Sequence, residues 1–181
     1  MGATHVVLIR GINVGGRNKV PMAALRSALT EAGLGGVRTY IQSGNVLVSA
    51  PGRSADNVGA VVGGVLRASF DVDTVSVTLD AATLRAAVDA APVGFGSEPD
   101  VYHSDVAFLR PGIAMDDAVA AFSLRDGVDA LWPGRGVVYF RRLSAQRTRS
   151  KLNAVMSTPL YKDMTIRNWR TTTTLAGMID E

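Results

Sequence analysis

Twice along the chain, the pattern of apolar residues runs in the same order: strand, helix, strand, strand, helix, strand. Few folds accept that order, so it constrains these 181 residues more than any single motif does. In the first pass, THVVLIR (4–10) is a run rich in β-branched residues. A helix follows over about residues 21–32, with Met22, Leu25 and Leu29 on one face, Pro21 in its first turn and Gly33 at its stop. VRTYIQ and NVLVSA then flank Ser43-Gly44 as a hairpin. A second helix covers about 55–70, with Ser54 as its N-cap and Val58, Val62 and Leu66 in its stripe. Gly63-Gly64 inside it suggests a close packing contact. TVSVTLD (74–80) closes the unit with strict alternation.

A further helix, about 81–90 and capped by Asp80, leads into the Gly/Pro-rich stretch APVGFGSEPD. The order then recurs. VYHSDVAFLR is a strand and MDDAVAAF a helix, and VDALW and GVVYFRRL flank a Pro133-Gly134 turn. SKLNAVM begins a helix capped by Ser150, MTIRNW is a strand, and TTTTLAGMIDE is one extra helix. No residue-level repeat accompanies this recurrence, so duplication rests on element order alone.

The order predicts an α+β fold: a tandem duplication of ferredoxin-like β-α-β-β-α-β plaits with antiparallel sheets, each of spatial order 4-1-3-2. The expected domains are a first α/β plait at 1–80, a linker helix and loop at 81–100, and a second α/β plait with the extra C-terminal helix at 101–181. Val6 and Leu8 face one side of their strand while Val7 and Ile9 face the other, and Val106 and Phe108 likewise oppose Ala107 and Leu109. Both sheet faces therefore need cover, either from the other half or from the linker.

Hydrophobic residues make up 47% of the chain and charged residues 19%, which excludes disorder over its bulk. No apolar run approaches the roughly 20 residues that span a bilayer. The first residues lack the basic region of a secretory signal. A cytoplasmic protein without a membrane partner is expected. There are no cysteines, which excludes disulfides, thiolate nucleophiles and iron–sulfur sites. His5 and His103 lie far apart in separate strands, so no metal site is expected. Nineteen basic and sixteen acidic residues leave a net charge of +3, which permits an anionic partner without requiring one.

GINVGGRNK (11–19) comes close to the phosphate-loop signature G-x4-G-K-[ST]. Gly11 and Gly16 have the right spacing, but Arg17 stands in place of Lys and Asn18 in place of the magnesium-binding hydroxyl. The signature also needs a parallel sheet, whereas residues 36–50 read as an antiparallel hairpin. A weaker anion site survives this comparison. Adjacent Gly15 and Gly16 let backbone N–H groups turn outward, a helix N-terminus follows, and Arg10, Arg17 and Lys19 add charge. Strands one and two of a plait run parallel, so the loop and the hairpin share one rim. Gln42, Ser43 and Asn45 then join Arg10 and Asn13 there. In the second half Arg149, Ser150 and Lys151 begin a helix, and Arg167, Asn168 and Trp169 end the next strand; they are expected to lie together, at the opposite end of the second sheet. The candidate ligand-binding residues are thus Arg10, Asn13, Gly15, Gly16, Arg17, Lys19, Gln42, Ser43, Asn45, Lys151, Arg167 and Asn168. Arg141, Arg142 and Arg147 extend a basic run that reads as solvated.

RGINVGG with NKVPM, then YIQSGNVL, and finally TIRNW resemble the hallmark segments of a bacterial family of unknown function, the domain numbered sixteen ninety-seven. The resemblance spans nearly the whole chain and implies a pair of α/β-plait subdomains. It brings no catalytic residue to transfer. Ile166 precedes Arg167 where the family pattern has Thr.

The residues favour binding of a phosphorylated small molecule or nucleotide at the basic loop, with room for enzymatic turnover. Yet no paired carboxylates, His or Cys nucleophile system, or metal spacing is evident, and no cofactor is implied. The alternatives are an RNA-binding module, for which RGVVYF (135–140) supplies Tyr139 and Phe140 as stacking aromatics, or a protein-interaction module without a small ligand.

Overall fold

The structure, a computed structural model, describes residues 2–181. It divides into two compact units. The first runs to Arg85 and includes Thr174–Glu181; the second is Ala86–Thr173.

The first unit is built from β1 (His5–Ile9), α1 (Met22–Glu31), β2 (Gly35–Tyr40), β3 (Asn45–Ser49), α2 (Ala55–Phe70) and β4 (Ser76–Asp80). The sheet order is β2-β3-β1-β4, and every pairing is antiparallel. Leu25 and Leu29 of α1 and Val58, Val62 and Leu66 of α2 pack with Val7, Ile9, Val46 and Val48 into one core. The Ser54 hydroxyl accepts a hydrogen bond from Asn57 N and starts α2 as the sequence requires. The glycine pair of α2 has a different environment from the close contact expected. Gly64 faces open space, and the near neighbour of Gly63 is the guanidinium end of Arg67. The tight approach is at Gly59, where a Cβ would lie 2.8 Å from the Thr78 hydroxyl.

Val6, Leu8 and Leu47, on the side of the sheet away from α1 and α2, are also fully buried. Val77 and Leu79 stand opposite Leu8 and Val6, so the alternating strand β4 turns its apolar residues to this second side. The chain's last residues join the unit here: Ala3 N donates to the Ile179 carbonyl, Arg38 pairs with Glu181, and Arg85 pairs with Asp180.

The second sheet, ordered β6-β7-β5-β8, contains β5 (Tyr102–Leu109), β6 (Asp129–Gly134), β7 (Val137–Leu143) and β8 (Met164–Asn168). α3 (Ala81–Asp89) precedes β5, and α4 (Met115–Ala120) follows it. The connection from β7 to β8 is three short 3-10 segments, Ser144–Arg149, Leu152–Ser157 and Pro159–Asp163, rather than the α-helix expected over SKLNAVM. Leu152 and Val155 are its only fully buried residues in the middle segment, too few to lay an α-helical stripe on the sheet. The Pro133-Gly134 turn is also displaced. Both residues belong to β6 and the reversal falls at Arg135-Gly136, with Gly136 at φ 71. β6 is an edge strand, where proline costs no ladder hydrogen bond. α5 (Trp169–Met178) follows β8.

One face of this sheet packs Ala107, Leu109, Val138 and Phe140 against Ala118, Phe122, Leu152 and Val155. The other is covered by the segment before β5. Phe95 meets Trp132, Tyr139 and Trp169 edge-on at centroid distances of 5.9, 5.5 and 5.0 Å. The Tyr139 hydroxyl donates to the Ala87 carbonyl. No helix among the described residues is long and apolar enough to cross a membrane.

Candidate functional site

The glycine-rich loop and the β2–β3 hairpin do share a rim. Ile9 N donates to the Gly44 carbonyl at 2.7 Å, and Asn13 Nδ2 donates to the Gln42 carbonyl at 2.9 Å. Gly44, at φ 80, permits this approach; a Cβ there would lie 2.7 Å from the Ile9 carbonyl. The loop uses its polar groups to hold itself. The Asn13 amide accepts from Val20 N and donates to the Val20 carbonyl, while Asn18 Nδ2 donates to the Gly11 carbonyl. Asn13 N and Arg17 N donate within the loop, to Asn18 and Val14. Asn45 is fully buried and donates to Tyr40 and Ser43, which makes it a hairpin brace. Gly15, Gly16, Arg17, Lys19 and Gln42 are exposed, and Arg10 and Ser43 are half-buried.

The second-half candidates separate. Lys151 N donates to Asp129 on β6, whereas Arg167 and Asn168 lie on β8, at the opposite edge of the same sheet. Three inter-strand spacings, about 14 Å, divide them. The 3-10 connection carries the chain across the sheet between those edges, so sharing one end of the sheet by strand direction does not bring them together. The Arg167 side chain is buried and donates to the Thr165 hydroxyl and the Ile166 carbonyl. Burial lowers its pKa to about 10, which still leaves it cationic at neutral pH. Asn168 donates to the Ser104 carbonyl and accepts from Arg170 N. The aromatics proposed to stack RNA are not available for it. Tyr139 and Phe140 are 1% and 3% exposed, and as neighbours on one strand they point to opposite faces.

A different constellation emerges on the helix-bearing face of the second sheet. His103 and Asp105 are two residues apart on β5, so they share a face, and β7 places Arg142 directly opposite His103. One oxygen, Asp105 Oδ2, lies 3.2 Å from both His103 Nε2 and Arg142 Nη2. Arg142 Nη1 donates to Asn153 Oδ1 at 2.8 Å. Side-chain exposure falls from 49% at His103 to 15% at Arg142 and 7% at Asp105, so the carboxylate is the buried pivot. The hydrogen bond to Asp105 raises the His103 pKa above its ordinary 6.5; burial opposes this, the carboxylate's charge adds to it and Arg142 subtracts.

These side chains open onto a cavity of about 680 Å³ lined by His103, Arg142, Ser144, Arg147, Thr148 and Asn153. A smaller recess of about 250 Å³ continues toward Phe140, Leu152 and Val155. The site therefore offers guanidinium donors, hydroxyls and an imidazole at its mouth and an apolar floor behind them. Sequence reasoning read this basic run as solvated. The readable signal was His103-x-Asp105 on one strand face; the partner Arg142 depends on register.

Together these features define an α+β protein of two four-stranded antiparallel sheets, with a cationic cleft on the second. Over residues 3–139 the chain matches the family described as "Protein of unknown function (DUF1697)", and it belongs to that family. Its structure is similar to that of a conserved bacterial protein from Streptococcus pneumoniae. The TM-score is 0.84 and the identity 25%, covering 99% of this chain and 100% of that one. No curated protein matches it significantly.

Proposed function

We propose that the protein binds a phosphorylated small molecule or nucleotide, with the charged end held in the second unit's cleft. The observation that carries this reading is the convergence of Arg142, Arg147 and His103 on one cavity, with the nearby carboxylate of Asp105 almost fully buried behind His103 and Arg142. Guanidinium groups suit phosphate because their N–H donors match its oxygens in pairs. A volume of about 680 Å³ is in the range of small-molecule sites. The His103–Asp105 pair adds a group that can hold or release a proton beside the bound ligand, as turnover of a phosphate ester would require. The glycine-rich loop is the competing location. Its exposed Arg17 and Lys19 support it, while the use of the Asn13 and Asn18 side chains and of the Asn13 and Arg17 N–H groups to hold the loop itself favours the cleft.

Thermal melting with inorganic phosphate and with ribose 5-phosphate tests the reading. Both should raise the melting temperature, and Arg147→Ala should remove the shift. If Arg17→Ala removes it and Arg147→Ala does not, the loop is the site. If neither anion moves the melting temperature, the reading fails.

The two sheets are also read as tandem copies of one ferredoxin-like plait, 1–80 and 101–181, joined by 81–100. Their matching strand orders support this. The 3-10 connection in place of a second α-helix is where the copies diverge.

A further inference from the structure

A second cavity, of about 300 Å³, lies on the other face of the same sheet, the face covered by Phe95, and its walls differ in kind. β8 stops pairing with β5 at Asn168 and Asp105, and there the chain turns into α5. The β5 segment from Tyr102 to Ser104 continues past that point and lines the cavity together with Trp169. The Trp169 indole is fixed by edge-on contacts with Phe95, at 5.0 Å and 81°, and with Tyr139, at 6.5 Å and 73°. Gly96 makes room for it, since a Cβ there would fall 1.9 Å from Trp169 Cδ1. Tyr102 is held on its ring by the Arg141 guanidinium, 3.9 Å from the centroid. Between these aromatic walls sits Ser104, only 4% exposed, whose hydroxyl finds no hydrogen-bond partner among the described residues. A buried hydroxyl without a partner is uncommon and costs stability unless something else satisfies it.

We propose that this cavity takes the heterocyclic base of a nucleotide, whose phosphate passes the end of the sheet into the cationic cleft on its other face. Aromatic walls suit a flat ring, and the Ser104 hydroxyl supplies one hydrogen bond to a polar atom on its edge. His103 lines both cavities, so a single ligand can reach from one to the other around the free edge of β5. The inference rests on the cleft reading above and narrows it from phosphorylated molecules in general to nucleotides.

The test compares AMP, GMP, CMP and UMP with ribose 5-phosphate and with the four free nucleosides, by calorimetry and by quenching of the fluorescence of Trp132 and Trp169. At least one monophosphate should bind roughly tenfold tighter than ribose 5-phosphate and quench the fluorescence. Ser104→Ala should remove about that tenfold advantage, leave ribose 5-phosphate binding unchanged, and raise rather than lower the melting temperature of the free protein. Tyr102→Leu, which removes one wall, serves as the second variant. If all four monophosphates bind no tighter than ribose 5-phosphate, or if neither variant changes their ratio, the base pocket is refuted and the cleft reading stands. If nucleosides bind and depend on Ser104 while ribose 5-phosphate does not bind, the pocket survives and the cleft reading falls. If nothing binds, both are refuted.

Discussion

The imidazole of His103 meets the carboxylate of Asp105 at 3.2 Å, Nε2 to Oδ2, with both residues on one face of one strand. The carboxylate is almost fully buried and the imidazole half-exposed, so the pair presents a proton-binding group to solvent while hiding the charge that tunes it.

Stability should therefore depend on pH around this pair. The hydrogen bond to Asp105 raises the His103 pKa in the folded state above its ordinary 6.5. The folded protein holds that proton more tightly than the unfolded chain does. The resulting stabilisation is complete below about pH 6.5 and is lost as pH rises through the raised folded-state value. Melting temperatures across this window should fall with pH in the wild type, and His103→Ala should flatten the curve.

Asp105→Asn should be the more damaging change. Arg142 is 15% exposed and would keep its charge without the carboxylate that faces it. Breaking such a buried pair by removing one partner costs about 3 kcal/mol, measurable by urea denaturation. The same substitution removes the groups that raise the His103 pKa, so an NMR titration should find that value shifted down.

Gly96→Ala should strain the aromatic wall twice over. The backbone there has φ +75, and the new methyl would overlap the Trp169 indole. The combined cost is about 2–4 kcal/mol. Denaturation should report the loss, and near-ultraviolet circular dichroism should show the changed tryptophan environment.

Asn13→Ala should loosen the glycine-rich loop. The substitution removes three side-chain hydrogen bonds, to both backbone groups of Val20 and to the Gln42 carbonyl, at a residue with φ 56. A loss of about 2 kcal/mol is expected, with faster amide exchange at Val20. Asn13→Gly accepts the backbone angle and should recover part of the loss.

Much of the fold was legible because its signals are local. Ser54 marks the start of α2 through a hydroxyl three residues from the N–H it caps. Gly44 marks the β2–β3 reversal because its backbone angle suits glycine. The strand order of both sheets follows from the order of elements. What failed was non-local. Pro133-Gly134 reads as a turn until β6 is known to be an edge strand, where both residues fit. Lys151 and Asn168 are expected together because strand direction brings both to one end of the sheet, yet the connection sets them at its opposite edges. The cleft lay between these cases. His103 and Asp105 share a face by simple alternation, but Arg142 joins them only through the β5–β7 register, which pairs Tyr102 with Leu143. Nothing in a single sequence sets that register to the residue.

The first unit takes in Thr174–Glu181, and Ala3 is hydrogen-bonded to Ile179. During translation, the ribosome must make all of 86–173 before it can deliver the piece that closes the earlier unit. A nascent chain halted short of Thr174 would leave that unit unfinished while its neighbour could already be complete, so the half of the protein that is made first is the half that finishes last.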